Sequence, residues 1–124
     1  MDSKIINQYR KMNLTLVDLE RQAEEDNEQM QERVQHTSGA ISDEEKRRIE
    51  TQIRLLELSD AVRKFTPEVM REIETVKDIQ TRVCLRHYCV GKSLEESARL
   101  ASGGNKVDAE LLKKITGNLL KAAH

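Results

Sequence analysis

The sequence predicts an all-α protein, and three features of its composition support this fold class. The 124 residues include one proline and five glycines, too few for the turns that a β fold requires. Charged residues make up 35% of the chain, which is typical of long helices that bury one narrow apolar stripe. Aromatic residues make up only 2%, and a deep core normally depends on them for much of its buried area. We therefore expect extended helices rather than a single large core.

An extended N-terminal helix is predicted from about Ser3 to Val34. Its first apolar residues recur at alternating steps of four and three, which is the heptad spacing of a coiled-coil seam. This seam comprises Ile5, Tyr9, Met12, Leu16, Leu19 and Ala23. A seam needs a partner helix, and we predict that it forms a homodimer interface. A helix of the same chain or of another protein would satisfy it equally well.

A second helix is predicted to begin at Ser42 and to end near Lys64. The sequence at 42–45 has the spacing of a capping box, in which Ser42 accepts from the backbone N–H of Glu45 and the Glu45 side chain bonds back. A loop is expected before it, at His36–Ala40. The apolar residues of this helix form one predicted stripe and its flank: Ile49, Ile53 and Leu56, then Leu58, Val62 and Phe65.

A third helix is predicted to begin at Thr66 and to continue until the stop that Gly91 supplies. Proline fits the first position of a helix because that residue has no helical N–H bond to lose, so Pro67 after Thr66 indicates a new start. These boundaries give two parts. The first is a coiled-coil dimerisation arm at 1–65, and the second is a C-terminal helical unit at 66–124.

The C-terminal unit is predicted to contain two shorter helices. A second capping box at Ser93–Glu96 begins the first, and Gly103–Gly104 ends it. The other runs from about Lys106 to Ala122. Charge is unevenly distributed along the chain. From Arg82 onward there are eight basic and four acidic residues, whereas the rest of the chain has 13 basic and 18 acidic residues. A basic end of this kind favours a polyanionic partner.

The residues from 82 to 107 carry the most specific pattern in the chain. Nine positions form this pattern, and they match a known motif without an insertion or deletion: Val83, Tyr88, Gly91, Ser93, Glu95, Glu96, Ala98, Leu100 and Val107. The stretch resembles the helix-turn-helix of the sigma-factor region-four type, which also occurs in phage-encoded late-gene regulators that place a coiled helical segment ahead of it. A small residue such as Ala98 lets the two motif helices cross closely, and Leu100 and Val107 hold that crossing from either side of the turn.

The resemblance implies a DNA-binding surface. The helix after Gly104 would enter the major groove, where Asn105 would reach a base edge and the lysines would hold phosphates. The candidate contacts are Lys92, Asn105, Lys106, Lys113 and Lys114. The stretch departs from the family at the turn, where Ala101 replaces the usual glycine, Ser102 replaces an apolar residue and Gly103–Gly104 loosens the chain. Two further departures concern the core and the charge. Ser97 takes the place of an apolar core residue, and Asp108 and Glu110 put acids where phosphates would repel them.

These observations predict a DNA-binding transcriptional regulator that dimerises through its N-terminal coiled coil. Its partners would be a second copy of itself and duplex DNA. The alternative is a non-catalytic helical protein-interaction module: an adaptor, a chaperone, or a degenerate helix-turn-helix protein that binds a protein partner. No serine, histidine and acid arrangement indicates a nucleophile, so enzymatic activity is not expected.

Metal ligation and membrane insertion are also not expected. Cys84, His87 and Cys89 form a cluster of ligand types, but no second pair completes a four-ligand zinc site. We therefore expect structural thiols and no cofactor. The chain has no run of about 18 apolar residues and no signal-peptide core after Met1. Two cysteines without such a signal favour a reducing compartment, so an intracellular, cytoplasmic location without a membrane partner is predicted.

Overall fold

A computed structural model describes residues 1–33, 43–103 and 108–121, and all regular structure in these ranges is helical, as predicted. The helices are α1 (Ser3–Arg33), α2 (Asp43–Glu74), α3 (Ile79–Cys89), α4 (Leu94–Ala101) and α5 (Ala109–Lys121). The predicted loop at 36–40 and the capping residue Ser42 lie outside the described residues. None of the described helices is both long enough and apolar enough to cross a lipid bilayer.

The chain divides into two compact units whose composition was not expected from the sequence. Unit 1 contains Met1–Leu14 together with Val62–His124, and unit 2 contains Thr15–Ala61. Both α1 and α2 therefore contribute to each unit. The predicted parts at 1–65 and 66–124 group the residues differently, because the first turns of α1 pack among the C-terminal helices. One such contact is the hydrogen bond from the Ser3 hydroxyl to the carbonyl of Leu119 at 3.3 Å.

The predicted helix start at Thr66 is wrong, because α2 continues through it. The Thr66 hydroxyl bonds to the carbonyl of Val62 at 2.7 Å, one turn back within the helix, instead of capping a new one. Pro67 then lies inside a helix, where the missing N–H bond and the crowding of its ring cost about 3 kcal/mol. The residues that follow it offset this cost, since Val69 and Ile73 are completely buried in unit 1.

A helix boundary that the sequence analysis missed lies at Asp78. The carboxylate of Asp78 caps α3, accepting from the backbone N–H of Thr81 at 3.3 Å and from the Thr81 hydroxyl at 2.6 Å. These hydrogen bonds, led by the one from the hydroxyl, hold the pKa of the Asp78 carboxyl below its ordinary value. The predicted third helix is therefore divided between the end of α2 and all of α3.

The core of unit 1 combines the first turns of α1 with the later helices. Its buried apolar side chains are Ile6, Tyr9, Val62, Val69, Ile73, Cys84, Leu85, Cys89, Ala98, Leu111 and Ile115. The Tyr9 ring packs against Phe65 with their centroids 6.0 Å apart, and its hydroxyl lies 2.8 Å from that of Thr66. Apolar packing and a satisfied hydroxyl together fix the start of α1 against the end of α2.

Unit 2 is formed by the second part of α1 and the first part of α2. Its buried residues among those described are Ala23 and Thr51. The Thr51 hydroxyl bonds to the carbonyl of Arg47 at 3.0 Å, so it is buried without losing its hydrogen bond. Thr15 and Leu19 of α1 line one groove together with residues of α2 (Arg54, Glu57, Leu58 and Ala61). The two helices therefore lie side by side in this unit.

Candidate functional site

The turn between α3 and α4 contains the helix stop and the helix start that the sequence predicts. Gly91 has φ +112°, and its N–H donates to the carbonyl of Tyr88 at 3.1 Å while the N–H of Lys92 donates to the carbonyl of His87 at 3.3 Å. This pair of bonds is a Schellman motif, with glycine at the left-handed position. Ser93 then caps α4, its hydroxyl accepting from the N–H of Glu96 at 3.1 Å. The predicted stop and start are both confirmed.

The residues that pack α4 against its neighbours are small. Ser97 and Ala98 are both completely buried. The Ser97 hydroxyl donates to the carbonyl of Ser93 at 2.7 Å, so the polar residue in place of an apolar one leaves no unsatisfied group. At the other end of α4, the Gln80 side chain of α3 donates to the Ser102 hydroxyl at 3.1 Å.

Two side chains of α1 cap the C-terminal end of α3. The Arg10 guanidinium donates to the carbonyls of Tyr88 and Lys92, each at 2.5 Å, and lies 4.1 Å above the Tyr88 ring. Asn13 donates to the carbonyl of Cys89 at 3.0 Å. A cation at the carboxyl end of a helix also meets the negative end of the helix dipole. These bonds attach α1 to the corner that leads into α4.

The predicted DNA contacts are partly placed by the structure. Lys92, Lys113 and Lys114 are exposed, whereas Asn105 and Lys106 lie outside the described residues. The buried face of α5 is formed by Leu111 and Ile115.

Acidic side chains lie at the starts of α4 and α5. The Asp108 carboxylate accepts from the backbone N–H groups of Glu110 at 3.0 Å and Leu111 at 3.2 Å, so it caps the start of α5. The carboxylate of Glu110 is exposed near that end of the helix, and Glu95 is exposed on the first turn of α4. Each acid would stand beside any phosphate that approached the start of these helices.

The predicted dimer seam is at least half-buried along its whole length within the chain. Tyr9 in unit 1 and Ala23 in unit 2 are buried, and the other members are half-buried: Ile5, Met12, Leu16 and Leu19. Homodimerisation through this seam stays a prediction, and it would use only the area that the chain leaves open.

The stripe at Ile49, Ile53 and Leu56 is the surface that the sequence analysis misassigned. These side chains are exposed by 51%, 49% and 69%, although they were grouped with Leu58 and Val62, which are half-buried and buried. The buried side of α2 in unit 2 passes instead through Thr51 and the half-buried Leu55 and Leu58. Thr51 and Ile53 are about 200° apart around the helix, so the three exposed residues lie on the face opposite the buried one. Ile49, Ile53 and Leu56 are called the α2 stripe below.

Both cysteines are inside unit 1. Cys84 and Cys89 are completely buried free thiols, and burial raises the pKa of each to about 11. The Cys89 thiol also donates to the carbonyl of Arg86 at 3.2 Å. Among the described residues, no group of three histidine, cysteine or acidic side chains is arranged to hold a metal ion.

Comparisons with known proteins add no functional assignment. No protein-family model, curated protein or solved structure matches this chain. The resemblance of residues 82–107 to a sigma-factor helix-turn-helix therefore stays a prediction, and a function must be proposed from the surfaces of the molecule.

Proposed function

We propose that this protein is a non-catalytic protein-interaction module that binds an α-helix of its partner through the α2 stripe. The observation that carries the proposal is the exposure of Ile49, Ile53 and Leu56 on the face of α2 opposite its buried face. The two thiols, which are the strongest nucleophiles that the sequence offers, are buried and held protonated at neutral pH.

The spacing of the α2 stripe separates it from ordinary surface residues. Single exposed apolar side chains are common on proteins and need no explanation. These three recur at steps of four and three, so they form one continuous strip about 10 Å long. Complete burial of a fully exposed Ile or Leu side chain contributes about 1.5–3 kcal/mol. Since these three are exposed by 49–69%, covering each of them with a partner would contribute about 1–2 kcal/mol.

The same spacing favours a helical partner. Helices that dock through an apolar face are bound at positions i, i+4 and i+7, which is the arrangement of Ile49, Ile53 and Leu56. Glu45, Arg48 and Gln52 line a shallow groove together with these three residues. This surface therefore has an apolar centre and a polar rim, which is the usual composition of a protein interface.

A display library of amphipathic helices of about three heptads tests the proposal. The folded protein is the bait, and binders are selected against the wild type. Selected helices should lose binding to a Leu56→Lys variant and retain it for an Ile79→Lys variant. The two positions form a matched pair, because Leu56 is 69% exposed and Ile79 is 68% exposed, while only Leu56 lies on the stripe.

Two results would contradict the interaction proposal. One is a selection that yields no specific helix, and the other is a set of binders that Leu56→Lys does not affect. Circular dichroism of both variants checks that they fold, since a lysine at a position that is already exposed should perturb the fold little.

A second candidate function is binding of duplex DNA by the C-terminal helices. Lys113 and Lys114 support it, because both are exposed on α5 while the other face of that helix is buried. We rank it second for two reasons. The exposed acids Glu95 and Glu110 lie on the helices that would approach phosphates. In addition, α4 ends at Ala101 and α5 begins at Ala109, whereas a helix-turn-helix connects its helices by about three or four residues.

A further inference from the structure

A groove on unit 1 lies between the first turns of α1 and the end of α3. Its volume is about 470 Å³, which is within the usual range for a ligand pocket. Five of the lining side chains come from α1 and one comes from α3: Asn7, Gln8, Arg10, Lys11, Leu14 and Tyr88. Two of them are cations, two are amides and none is an acid. The lining therefore offers a ligand positive charge and hydrogen-bond donors beside apolar surface.

Arg10 is fixed at this groove by only part of its hydrogen-bonding capacity. A guanidinium has five N–H donors, and the bonds from Arg10 to the carbonyls of Tyr88 and Lys92 both come from its Nη1 atom. Among the described residues, its Nε and Nη2 atoms have no hydrogen-bond partner. Neither atom is buried, because the buried side-chain nitrogen that lacks a partner in those residues is the Nε of Arg82. One edge of the Arg10 guanidinium is therefore held in place, open to solvent and unused.

This edge has the geometry to bind an oxyanion. The Nε–H and Nη2–H bonds of arginine point in the same direction, so they can donate to two oxygens of one carboxylate or phosphate. The Tyr88 ring, 4.1 Å from the guanidinium, fixes the plane of that edge. Lys11 is exposed at the next position of α1 and adds a second cation to the lining. A phosphate monoester carries about 1.5 to 2 negative charges at neutral pH, so it matches two cations better than a carboxylate does.

The charges around the groove favour an anion. The carboxyl end of α3 carries about half a negative charge from the helix dipole. The full charge of Arg10 exceeds it, and Lys11 adds another positive charge. The next acid along α1 is Asp18, about 10 Å of helix rise beyond Lys11, and it is already in an ion pair with Arg21. The acids of α4 do not line the groove.

We infer that this groove binds a phosphate monoester, with Arg10 and Lys11 holding the phosphate. Leu14 and Tyr88 supply apolar surface in the same lining, so the organic part of the ligand should be apolar or aromatic. Leu14 is 42% exposed, which leaves surface for that part to cover. The site lies on unit 1 and does not involve the α2 stripe, so it goes beyond the proposed function and is independent of it.

Phosphorus NMR titrations with phenyl phosphate test the site, because this probe joins a phosphate to an aromatic ring. The full-length protein should bind it with a dissociation constant on the order of 1 mM. Lys11→Gln should weaken binding about tenfold, because one charge-assisted contact is lost. Lys4→Gln is the matched control with the same net charge. Lys4 is exposed on the same side of α1 but does not line the groove, so this variant should bind as the wild type does.

Further probes and variants distinguish the outcomes. Arg10→Lys keeps the charge but loses the forked edge, so it should bind more weakly, and circular dichroism checks that it folds. Inorganic phosphate should also bind more weakly, because it has no ring. Leu56→Lys should leave the affinity unchanged, which separates this site from the α2 stripe.

Two results would overturn the inference. One is no binding of phenyl phosphate up to about 20 mM, roughly twenty times the expected dissociation constant. The other is equal weakening by Lys4→Gln and Lys11→Gln, which would show attraction to net charge alone. Inorganic phosphate that binds as tightly as phenyl phosphate would overturn the apolar part of the inference and support the phosphate site.

Discussion

The Arg10 guanidinium donates a hydrogen bond to the carbonyl of Tyr88 and covers the ring of the same residue. One side chain of the first helix therefore satisfies the end of α3 and packs on its last turn. Since the two residues are 78 positions apart, this contact fixes a long-range relationship within unit 1. It also places α1 beside the corner at Gly91, which leads into α4.

Replacing Arg10 with alanine should lower the free energy of unfolding by about 1–3 kcal/mol, because hydrogen bonds from a charged donor and the ring contact are lost together. Urea denaturation followed by circular dichroism measures the change. Arg21→Ala is the matched control on the same helix. The Arg21 ion pair with Asp18 spans 3.5 Å with both side chains 72% exposed, so its loss should cost less than about 1 kcal/mol. Equal losses in the two variants would show that the Arg10 contacts contribute nothing specific.

Gly91 should not tolerate a side chain. It has φ +112°, and a Cβ atom there would lie 3.3 Å from the Cδ2 atom of Leu14. Gly91→Ala should therefore destabilise the protein by about 1–3 kcal/mol through backbone strain. Gly117 provides the opposite control, since it lies within α5 and an added Cβ meets nothing within 4 Å. Gly117→Ala should leave stability unchanged or raise it by up to about 1 kcal/mol. Thermal denaturation of the two variants side by side measures both effects.

Local features of the fold could be predicted from the sequence, and long-range ones could not. The stop at Gly91 and the cap at Ser93 depend on a few neighbouring residues, and both were correctly predicted. The continuation of α2 through Pro67 depends instead on the burial of Val69 and Ile73 among distant helices. The capping role of Asp78 was visible in the spacing to Thr81 but was hidden by the assumption of one continuous helix.

The candidate site illustrates the same limit. The first part of α2 carries two apolar stripes on opposite faces, one through Ile53 and one through Leu55 and Leu58. Periodicity alone does not say which of them is buried, because α1 determines that from outside the helix. Residues of both stripes were therefore grouped as one stripe and its flank, whereas Ile53 is exposed by 49% in the structure. The seam residues of α1 were found from heptad spacing, but spacing could not show that the same chain covers part of them.

The buried thiols should react slowly in the folded protein. Burial raises the pKa of Cys84 and Cys89 to about 11, above the ordinary value of about 8.5, so almost no thiolate is present at pH 8. A thiol reagent such as 5,5′-dithiobis(2-nitrobenzoic acid) should therefore label both residues only as fast as the protein opens, and rapidly in denaturant. Immediate stoichiometric labelling of the native protein would contradict their burial.

The raised pKa values also predict how stability depends on pH. A thiol that stays protonated in the folded state contributes its full stability below the unfolded pKa. That contribution is lost as pH rises toward the folded value of about 11. The free energy of unfolding should therefore fall between about pH 8.5 and pH 11, and fall less steeply in a Cys84→Ala, Cys89→Ala variant. Identical pH profiles in urea denaturation would show that the thiols do not contribute.

Leu16→Lys tests how the predicted seam is used. Because Leu16 is half-buried within the chain, the variant should lose about 1–3 kcal/mol of stability. If the chain itself covers the seam, the wild type should be a monomer. Gln22→Lys, at an exposed position of the same helix, should change stability by less than about 0.5 kcal/mol. Sedimentation velocity and urea denaturation measure the two properties. A dimer at tens of micromolar that Leu16→Lys converts to a monomer would support homodimerisation through the seam instead.

Duplex DNA binding makes its own prediction at α5. If Lys113 and Lys114 hold phosphates, each contact releases a counterion, and the affinity falls steeply as salt rises from about 50 mM to about 200 mM. A Lys113→Glu, Lys114→Glu variant should then lose the gel shift of a random duplex while remaining folded, because both side chains are exposed. A Lys64→Glu, Lys77→Glu variant, at two exposed lysines of the same unit, has the same net charge and controls for it. If full-length protein shifts no duplex at about 50 mM salt, where phosphate contacts are strong, the exposed lysines of α5 do not bind DNA.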